Sequence, residues 1–285
     1  VISTVTVGGA FTVTLPSAAS IAGRSYTISK TDNATNPLTI ASGGGTIAGA
    51  SNQYLNFANA FITVVSDGTN WIYAGGNTIA QSPDGMAGGR ISLTSGTPVP
   101  TSDVTGATSI YYVSHTSNRI ALYDGNSSWN VYSLPKDTTS ANCSAGTPCY
   151  QVSLALGTVT ASLPYDVFLY ANSGVPTLET QAWSSGTARA TALLLQDGVY
   201  VKSGAATRRY VGTIYTTSTT TTEDSAANRF VWNANNRVMR RLFKGDTGAW
   251  NYTSTTWRQA NNNSANKLQI VTGLPIDRVA ITVNT

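Results

Sequence analysis

The sequence predicts an all-β protein, and three observations support that prediction. Only 11% of the 285 residues are charged and 26 are glycine, a composition typical of β-structure with many turns. β-branched and aromatic residues recur in short alternating runs, which is the period of a strand. Asp-Gly steps separate several of these runs and supply the positive φ that tight hairpins require. We therefore expect short strands in a sandwich or barrel and no long helix.

Residues 1–78 are predicted to form a small N-terminal β-module. Residues 1–15 alternate in polarity and are interrupted at Gly8 and Gly9, a pattern that predicts a hairpin. Further runs of strand composition follow at 26–29, 38–40, 61–66 and 71–74. The last two flank Asp67-Gly68-Thr69-Asn70, which predicts a tight turn.

Residues 79–90 are predicted to be a linker, because the boundary stretch 77–90, NTIAQSPDGMAGGR, contains a proline, three glycines and few large apolar side chains. Residues 91–285 are predicted to form a larger β-sandwich-like domain. Its strands are expected at 109–113, 119–123, 152–163, 166–170, 181–183, 190–195, 198–202, 210–217, 230–232, 238–243, 268–271 and 278–283.

The most distinctive stretch, 208–243, contains two pairs of adjacent arginines. Its first strand has two moderately apolar faces, so a second layer or another copy of the chain is expected to cover it. One helical turn is predicted at 225–227, followed by a return to strand. The arginines form either an anionic contact surface or ion pairs with Glu223, Asp224 and Asp246, within one sheet or across a subunit boundary. We favour the pairing, and the candidate subunit contacts are Arg208, Arg209, Glu223, Asp224, Arg240 and Arg241.

The two cysteines, Cys143 and Cys149, are separated by SAGTP. This spacing lets the sulfurs meet, so a local disulfide is one prediction. The alternative is two free thiols in a reducing compartment. No metal site is expected, because no further cysteine or histidine lies nearby.

Three hairpins are predicted, with turns at 67–70, 124–128 and 245–249, and each places a tryptophan just after the turn: Trp71, Trp129 and Trp250. Such indoles either stack on sugar rings or fill the edge of a core. Trp71 is expected in the core, whereas polar neighbours predict exposure for Trp129, Trp250 and Trp257. The candidate ligand contacts are Trp129, Tyr132, Trp250, Tyr252, Trp257 and Arg258.

The residues do not indicate an enzyme. The single histidine, His115, lies in YYVSHTSNR, and the chain lacks a nucleophile elbow, a zinc-binding helix and a phosphate-binding loop motif. A pair of carboxylates remains the alternative, since glycosidases need only two acids, and Glu179, Glu223 and Asp224 are the first candidates. We expect no cofactor and no metal.

Charge and hydropathy narrow the expected partners. The net charge of +4 is small and scattered, which argues against nucleic acid binding. No apolar run approaches the length of a membrane span, so no membrane insertion is expected. The chain begins at Val1 directly in strand composition, and we expect it to be a fragment of a longer protein.

Two long passages resemble proteins of bacteriophage particles. LPSAASIAGRSYTISKTDNATNPLTI and ITVVSDGTNWIYAGG resemble small β-modules in the shafts and knobs of phage fibres and spikes. Residues 89–285, including LPYDVFLYANSG, LLLQDGVYVKSGAATRRYVGTI and WRQANNNSANKLQIVTG, are similar to a domain that recurs in phage virion proteins and prophage-encoded fibres. The resemblance implies a homotrimeric tail fibre, head fibre or spike protein on the surface of the virion, extracellular after release.

A trimer is also expected on physical grounds, because three chains around one axis would cover strand edges that otherwise invite aggregation. The implied partners are other copies of the chain, other virion proteins and a host cell-surface glycan, most simply a neutral polysaccharide. A capsid decoration or head-fibre protein is one alternative function, and a polysaccharide-degrading spike is another.

Overall fold

The structure is a computed structural model that describes residues 2–34, 36–80, 82–126, 128–144 and 146–275. The described residues form many short strands and two single-turn 3-10 helices, at Ala18–Ser20 and Ala260–Asn262, so the protein is all-β as predicted. The N-terminal strands are β1 (Ile2–Thr4), β2 (Phe11–Leu15), β3 (Ser25–Lys30), β4 (Leu38–Ser42), β5 (Asn52–Leu55), β6 (Ala60–Ser66) and β7 (Trp71–Gly76).

The following strands form the rest of the fold. They are β8 (Gly89–Ser92), β9 (Val104–Ala107), β10 (Ser109–Ser114), β11 (Arg119–Tyr123), β12 (Trp129–Ser133), β13 (Lys136–Asp137), β14 (Cys149–Ala155), β15 (Pro164–Asn172), β16 (Val175–Ala182), β17 (Leu193–Gln196), β18 (Val199–Lys202), β19 (Ala205–Tyr215), β20 (Thr222–Asp224), β21 (Asn228–Arg229), β22 (Val231–Asn233) and β23 (Gln269–Ile270).

The N-terminal strands form two sheets, with strand orders β1-β3-β6-β7 and β2-β4-β5. The hairpin predicted for residues 1–15 is wrong, because β1 pairs parallel to β3 while β2 pairs parallel to β4 in the other sheet. Thr6 fixes this crossover: its hydroxyl donates to the Asp32 carboxylate at 3.1 Å and is 2.9 Å from the Asn36 carbonyl. The turn at Gly8 and Gly9 therefore connects a strand of one sheet, β1, to a strand of the other, β2.

The predicted hairpin between β6 and β7 is confirmed. The Asp67 carboxylate accepts the backbone N–H groups of Thr69 and Asn70 at 2.7 and 2.6 Å, and Gly68 has φ +92°. Trp71, just after the turn, is buried as predicted, and its indole N–H donates to the Pro16 carbonyl at 3.1 Å. The turn thus places its tryptophan in the core.

The remaining strands form a four-stranded sheet β13-β14-β10-β8, the hairpin β11-β12, the sheet β16-β15-β19-β18-β17 and the sheet β23-β21-β20-β9. β22 also pairs with β19. The long strand β19 contains most of the apolar run predicted at 210–217, and several of its side chains are buried. It is covered from both sides within the chain, since Val211 and Ile214 join one apolar cluster and Tyr210 joins another.

The segment predicted as a linker, 79–90, packs against β11 and β12. Ile79 forms a bridge with Asn130, and Ala87 forms one with Ile120. Ala80, Ala87 and Arg90 are buried. One apolar cluster continues from the N-terminal sheets, through Trp71, to Ala121, Trp129, Val131 and Val201. The two predicted regions therefore share a core.

Several local predictions in the second half are wrong. The run predicted at 152–163 is strand only at its start, because β14 ends at Ala155. Residues 225–227 form no helical turn; they connect β20 to β21, and the Ser225 N–H donates to the Asn228 carbonyl at 2.9 Å. Residues 238–243 form no strand, and no hairpin surrounds Gly245 to Gly248. Strand composition alone is insufficient there, because within the described chain that segment pairs with no neighbouring strand. The strand predicted at 278–283 lies outside the described residues.

Candidate functional site

The predicted ligand contacts divide into a buried pair and an exposed group. Trp129 and Tyr132 lie on β12 and are only 4% and 3% exposed, so the prediction that Trp129 is exposed is wrong. β12 lies between two apolar clusters, and Trp129 joins one while Tyr132 joins the other. The Trp129 indole N–H donates to the Asp197 carboxylate at 3.0 Å, which satisfies its polar atom in the core. Neither ring presents a face to a ligand.

The other candidates lie together on an exposed stretch, residues 243–258, which we call the aromatic segment. Trp257 is 96% exposed, and Phe243, Trp250 and Tyr252 are also exposed. The rings of Trp250 and Tyr252 meet edge to face with centroids 6.3 Å apart. The Arg258 guanidinium lies 5.4 Å from the centroid of the Tyr252 ring, within the range of a cation–π contact.

Amide and carboxylate groups hold the aromatic segment to the residues that follow it. The Asp246 carboxylate accepts the Gly248 N–H at 2.9 Å and the Asn261 side-chain amide at 3.4 Å. The Asn266 side-chain amide also donates to Asp246. Tyr252 donates its hydroxyl to the Thr256 carbonyl. Aromatic faces and hydrogen-bonding groups are thus adjacent on one surface.

A second exposed apolar surface lies on the hairpin of β17 and β18. Leu194 and Leu195 are both exposed, and Tyr200, opposite Leu195 in the register, is exposed too. Successive strand residues point to opposite faces, so the hairpin exposes a leucine on each face. Val199 and Val201 of the same hairpin are buried in the core, so Leu194, Leu195 and Tyr200 are the apolar side chains of this hairpin that stay exposed.

The two arginines of the first adjacent pair differ in burial: Arg208 is partly exposed and Arg209 is buried. Arg208 lies near the surface, where its Nε is 3.3 Å from a Glu179 oxygen and its guanidinium lies 4.1 Å from the centroid of the Tyr170 ring. Arg209 is inside the chain and donates to the carbonyls of Pro83 at 2.8 Å and Ala121 at 2.9 Å. Burial lowers the pKa of Arg209 to about 10. Arg209 is therefore not a subunit contact; it ties β19 to the segment predicted as a linker.

The carboxylates of the same stretch have different partners. Glu223 accepts from the Ser225 hydroxyl and from the Asn228 amide at 3.0 Å. Asp224 pairs with Arg240 at 3.4 Å, one of the predicted pairings, and with Arg229 at 3.3 Å. Arg241 lies 4.1 Å from the centroid of the Phe243 ring. The pairing of Arg208 with Glu179 was missed because 29 residues separate them and no local pattern connects them.

Asp224 lies in a cleft of about 700 Å³ that sequence reasoning did not find. The lining contains four arginines and one aspartate, and we call it the arginine cleft: Arg90, Arg229, Arg237, Arg240 and Asp224. Arg90 was missed because it lies in the segment predicted as a linker. No local sequence pattern links it to residues more than a hundred positions away.

Residues of β8, β20, β21 and β22 line the arginine cleft. Asn233 on β22 accepts the Ile91 N–H at 2.5 Å and donates to the Ile91 carbonyl at 3.2 Å, which fixes Arg90 on β8 beside β22. The register of β20 and β21 places Asp224 opposite Arg229. Burial raises the pKa of Asp224 even though the arginines oppose that shift. Asp224 is therefore a desolvated carboxylate that lies between Arg229 and Arg240.

The remaining polar candidates show no catalytic arrangement. Cys143 and Cys149 form a disulfide. Burial raises the pKa of Glu179, but Lys202 at 2.7 Å and Arg208 more than offset it, so its net pKa lies below the usual range. A general acid needs the opposite shift. Within the described residues no three His, Cys, Asp or Glu side chains could hold a metal ion.

Searching the described residues for a helix long and apolar enough to cross a membrane finds none. No protein-family model, curated protein or solved structure matches this chain. The resemblance to phage fibre and spike proteins therefore stays a prediction.

Proposed function

We propose that this protein is a structural component of a bacteriophage particle, assembled as a homotrimer, that attaches to polysaccharide on the host cell surface. The observation that carries the proposal is the aromatic segment. An indole that is 96% exposed at Trp257 finds no cover within the described chain. Large aromatic side chains placed this way are typical of contact surfaces.

Self-association is supported by the β17–β18 hairpin. Leu194, Leu195 and Tyr200 stay exposed although Val199 and Val201 of the same hairpin are buried in the core of the chain. A neighbouring copy around a threefold axis would cover this exposed apolar surface. This arrangement would also pair or cover free strand edges.

Glycan binding is supported by the composition of the aromatic segment. Flat rings at Trp250, Tyr252 and Trp257 match the apolar faces of pyranose sugars, and the nearby amides match sugar hydroxyls. The segment contains Lys244 and Arg258 but only one carboxylate, Asp246, which is already bonded to Asn261 and Asn266. Ring stacking rather than charge would thus carry the contact with a neutral polysaccharide.

The trimer is tested by light scattering at several protein concentrations. A stable mass of three chains supports the proposal, and a monomer at all concentrations refutes the trimer. Leu194→Ser combined with Leu195→Ser should lower the mass if the hairpin is an interface. Ile72→Ser, which changes an exposed side chain on β7, is the matched control.

Attachment is tested by adsorption of the purified protein to host cells. Trp250→Ala and Trp257→Ala should each weaken adsorption while the oligomeric mass stays the same. Unchanged adsorption in both variants would exclude the aromatic segment as the glycan site. Binding to purified capsids instead of cells would favour a decoration protein, and release of reducing ends from capsule or lipopolysaccharide would favour a degrading spike.

A further inference from the structure

We propose that the arginine cleft binds an oxyanion, a carboxylate or a phosphate carried on a saccharide-sized ligand, through the guanidinium of Arg90. This site is separate from the aromatic segment and uses none of its rings. The inference therefore stands whether or not the proposed attachment function is correct.

The first argument is the state of Arg90. Its side chain lines the cleft, yet the residue is only 6% exposed, and its buried Nε and Nη1 atoms have no hydrogen-bond partner in the described chain. Buried donors in native proteins are almost always bonded, and an uncompensated buried charge is strongly unfavourable. An oxyanion that enters the cleft would supply an acceptor to this guanidinium, whose Nε–H and Nη1 groups point to opposite sides and therefore bond to separate acceptor atoms.

The second argument is charge. Asp224 is the only carboxylate among the described lining residues, and Arg229 and Arg240 already contact its two oxygens at 3.3 and 3.4 Å. Arg90, Arg229 and Arg240 thus share one lining carboxylate, Asp224, with Asp103 as a further acidic neighbour of Arg240, so positive charge exceeds negative charge among these residues. Field lines concentrate in such a recess, so an anion is attracted to it more strongly than to a flat surface.

The third argument is the size and lining of the cleft. A volume of about 700 Å³ is much larger than a bare ion needs and falls in the range of small-molecule sites. Its walls include the apolar side chains of Val238, Met239 and Leu242. The Arg237 guanidinium lies 5.0 Å from the centroid of the Trp232 ring, which also lines the site. A ligand with an anionic group and a less polar body fits this lining, as a uronic acid or a sugar phosphate does.

Isothermal titration calorimetry of the full chain tests the inference with three probes: glucuronate, glucose 1-phosphate and glucose. We expect at least one anionic sugar to bind and glucose not to bind. Binding of glucuronate assigns the ligand to carboxylate-bearing saccharides, and binding of glucose 1-phosphate alone assigns it to phosphate-bearing ones. If neither anion binds, the inference is refuted.

Variants test the role of Arg90. Arg90→Met should weaken the binding of the anion by roughly tenfold or more, the effect expected for the loss of a charged hydrogen bond. Arg24→Gln, which removes one exposed positive charge from a distant turn, should leave the affinity unchanged. Equal affinities of Arg90→Met and the native chain would refute the role of Arg90.

A second variant guards against misfolding. Arg240→Gln alters the cleft without replacing a buried strand residue, and it should also weaken binding of the anion. If Arg90→Met fails to fold, an Arg240→Gln variant with native affinity overturns the inference. Trp257→Ala should leave binding of the anionic sugar intact, which separates this site from the aromatic segment.

Discussion

Replacing Asp32 by asparagine should destabilise the protein strongly, because Asp32 is the counter-ion of a buried lysine. The side chain of Lys30 is fully buried, and its Nζ donates to the Asp32 Oδ1 at 2.6 Å. The same nitrogen also donates to the carbonyls of Asp32 at 3.0 Å and Ala34 at 2.9 Å. Asp32 Oδ1 further accepts the Ala34 N–H at 2.8 Å, and Oδ2 accepts the Thr6 N–H.

The magnitude follows from these contacts. Asparagine has the same shape, but its amide group must point a donor either at the Lys30 ammonium or at the Thr6 N–H, and in both cases two donors face each other. The ammonium also loses its only carboxylate partner among the described contacts. Breaking a buried ion pair by removing one partner costs about 3 to 5 kcal/mol, a large part of the total stability of a domain.

Urea unfolding at neutral pH measures this loss as a lower free energy of unfolding. Asp67→Asn is the matched control, because Asp67 is exposed and only caps a turn, and its effect should stay near 0.5 kcal/mol. The double variant Lys30→Met with Asp32→Asn should recover most of the loss, since it leaves no uncompensated charge. A value for Asp32→Asn within about 1 kcal/mol of the native protein would refute this reasoning.

Three further predictions concern acid, the core and the disulfide. Burial raises the pKa of Asp32, but hydrogen bonds from Lys30, Thr6 and Ala34 lower it to about 2 from 3.8, so its stabilising effect should be complete above about pH 4 and lost as the pH falls through 2. Acid titration of stability should show this loss in the native chain and less of it in Asp32→Asn. Trp129→Ala should lower the free energy of unfolding by about 3 to 5 kcal/mol, because the ring is buried. Reducing the disulfide, which closes a short loop with a sequence separation of 6, should lower it by about 2 kcal/mol.

Each of these three has an outcome that would contradict it. If the native chain and Asp32→Asn lose the same unfolding free energy as the pH falls, this carboxylate does not contribute to the loss of stability in acid. A Trp129→Ala variant as stable as Trp257→Ala would contradict the contrast between a buried and an exposed indole. An unchanged unfolding midpoint with and without reductant would show that the loop closure does not contribute to stability.

Local features of the fold were predictable because they depend on neighbouring residues. Alternation and the Asp67-Gly68 step predicted the β6–β7 hairpin, since the turn and its strands are continuous in sequence. The pairing of β1 with β3 was not predictable in this way. The alternation of residues 1–15 fits a parallel crossover as well as a hairpin, and the hydrogen bonds from Thr6 to Asp32 that decide between them join residues 26 positions apart.

The candidate site shows the same limit. Exposure of Trp250, Tyr252 and Trp257 agrees with their polar neighbours, but Trp129 has polar neighbours too and is buried. Its burial depends on a second apolar layer that covers β12 from the other side, and no local pattern describes that layer. Arg90 belongs to the same class, because its place in the arginine cleft arises only when β8, β20, β21 and β22 come together.

The core that joins the N-terminal sheets to β11 and β12 also affects how this protein can be recombined. Trp129 and Val131 belong to the same apolar cluster as Trp71 and Leu55. They are therefore covered by side chains that precede the segment 79–90 in the sequence. A chimera that grafts residues 91–275 onto a foreign shaft would leave these side chains exposed to water. The first 76 residues are therefore needed to bury the core of the rest of the chain. Exchanging them for an unrelated module would expose that core.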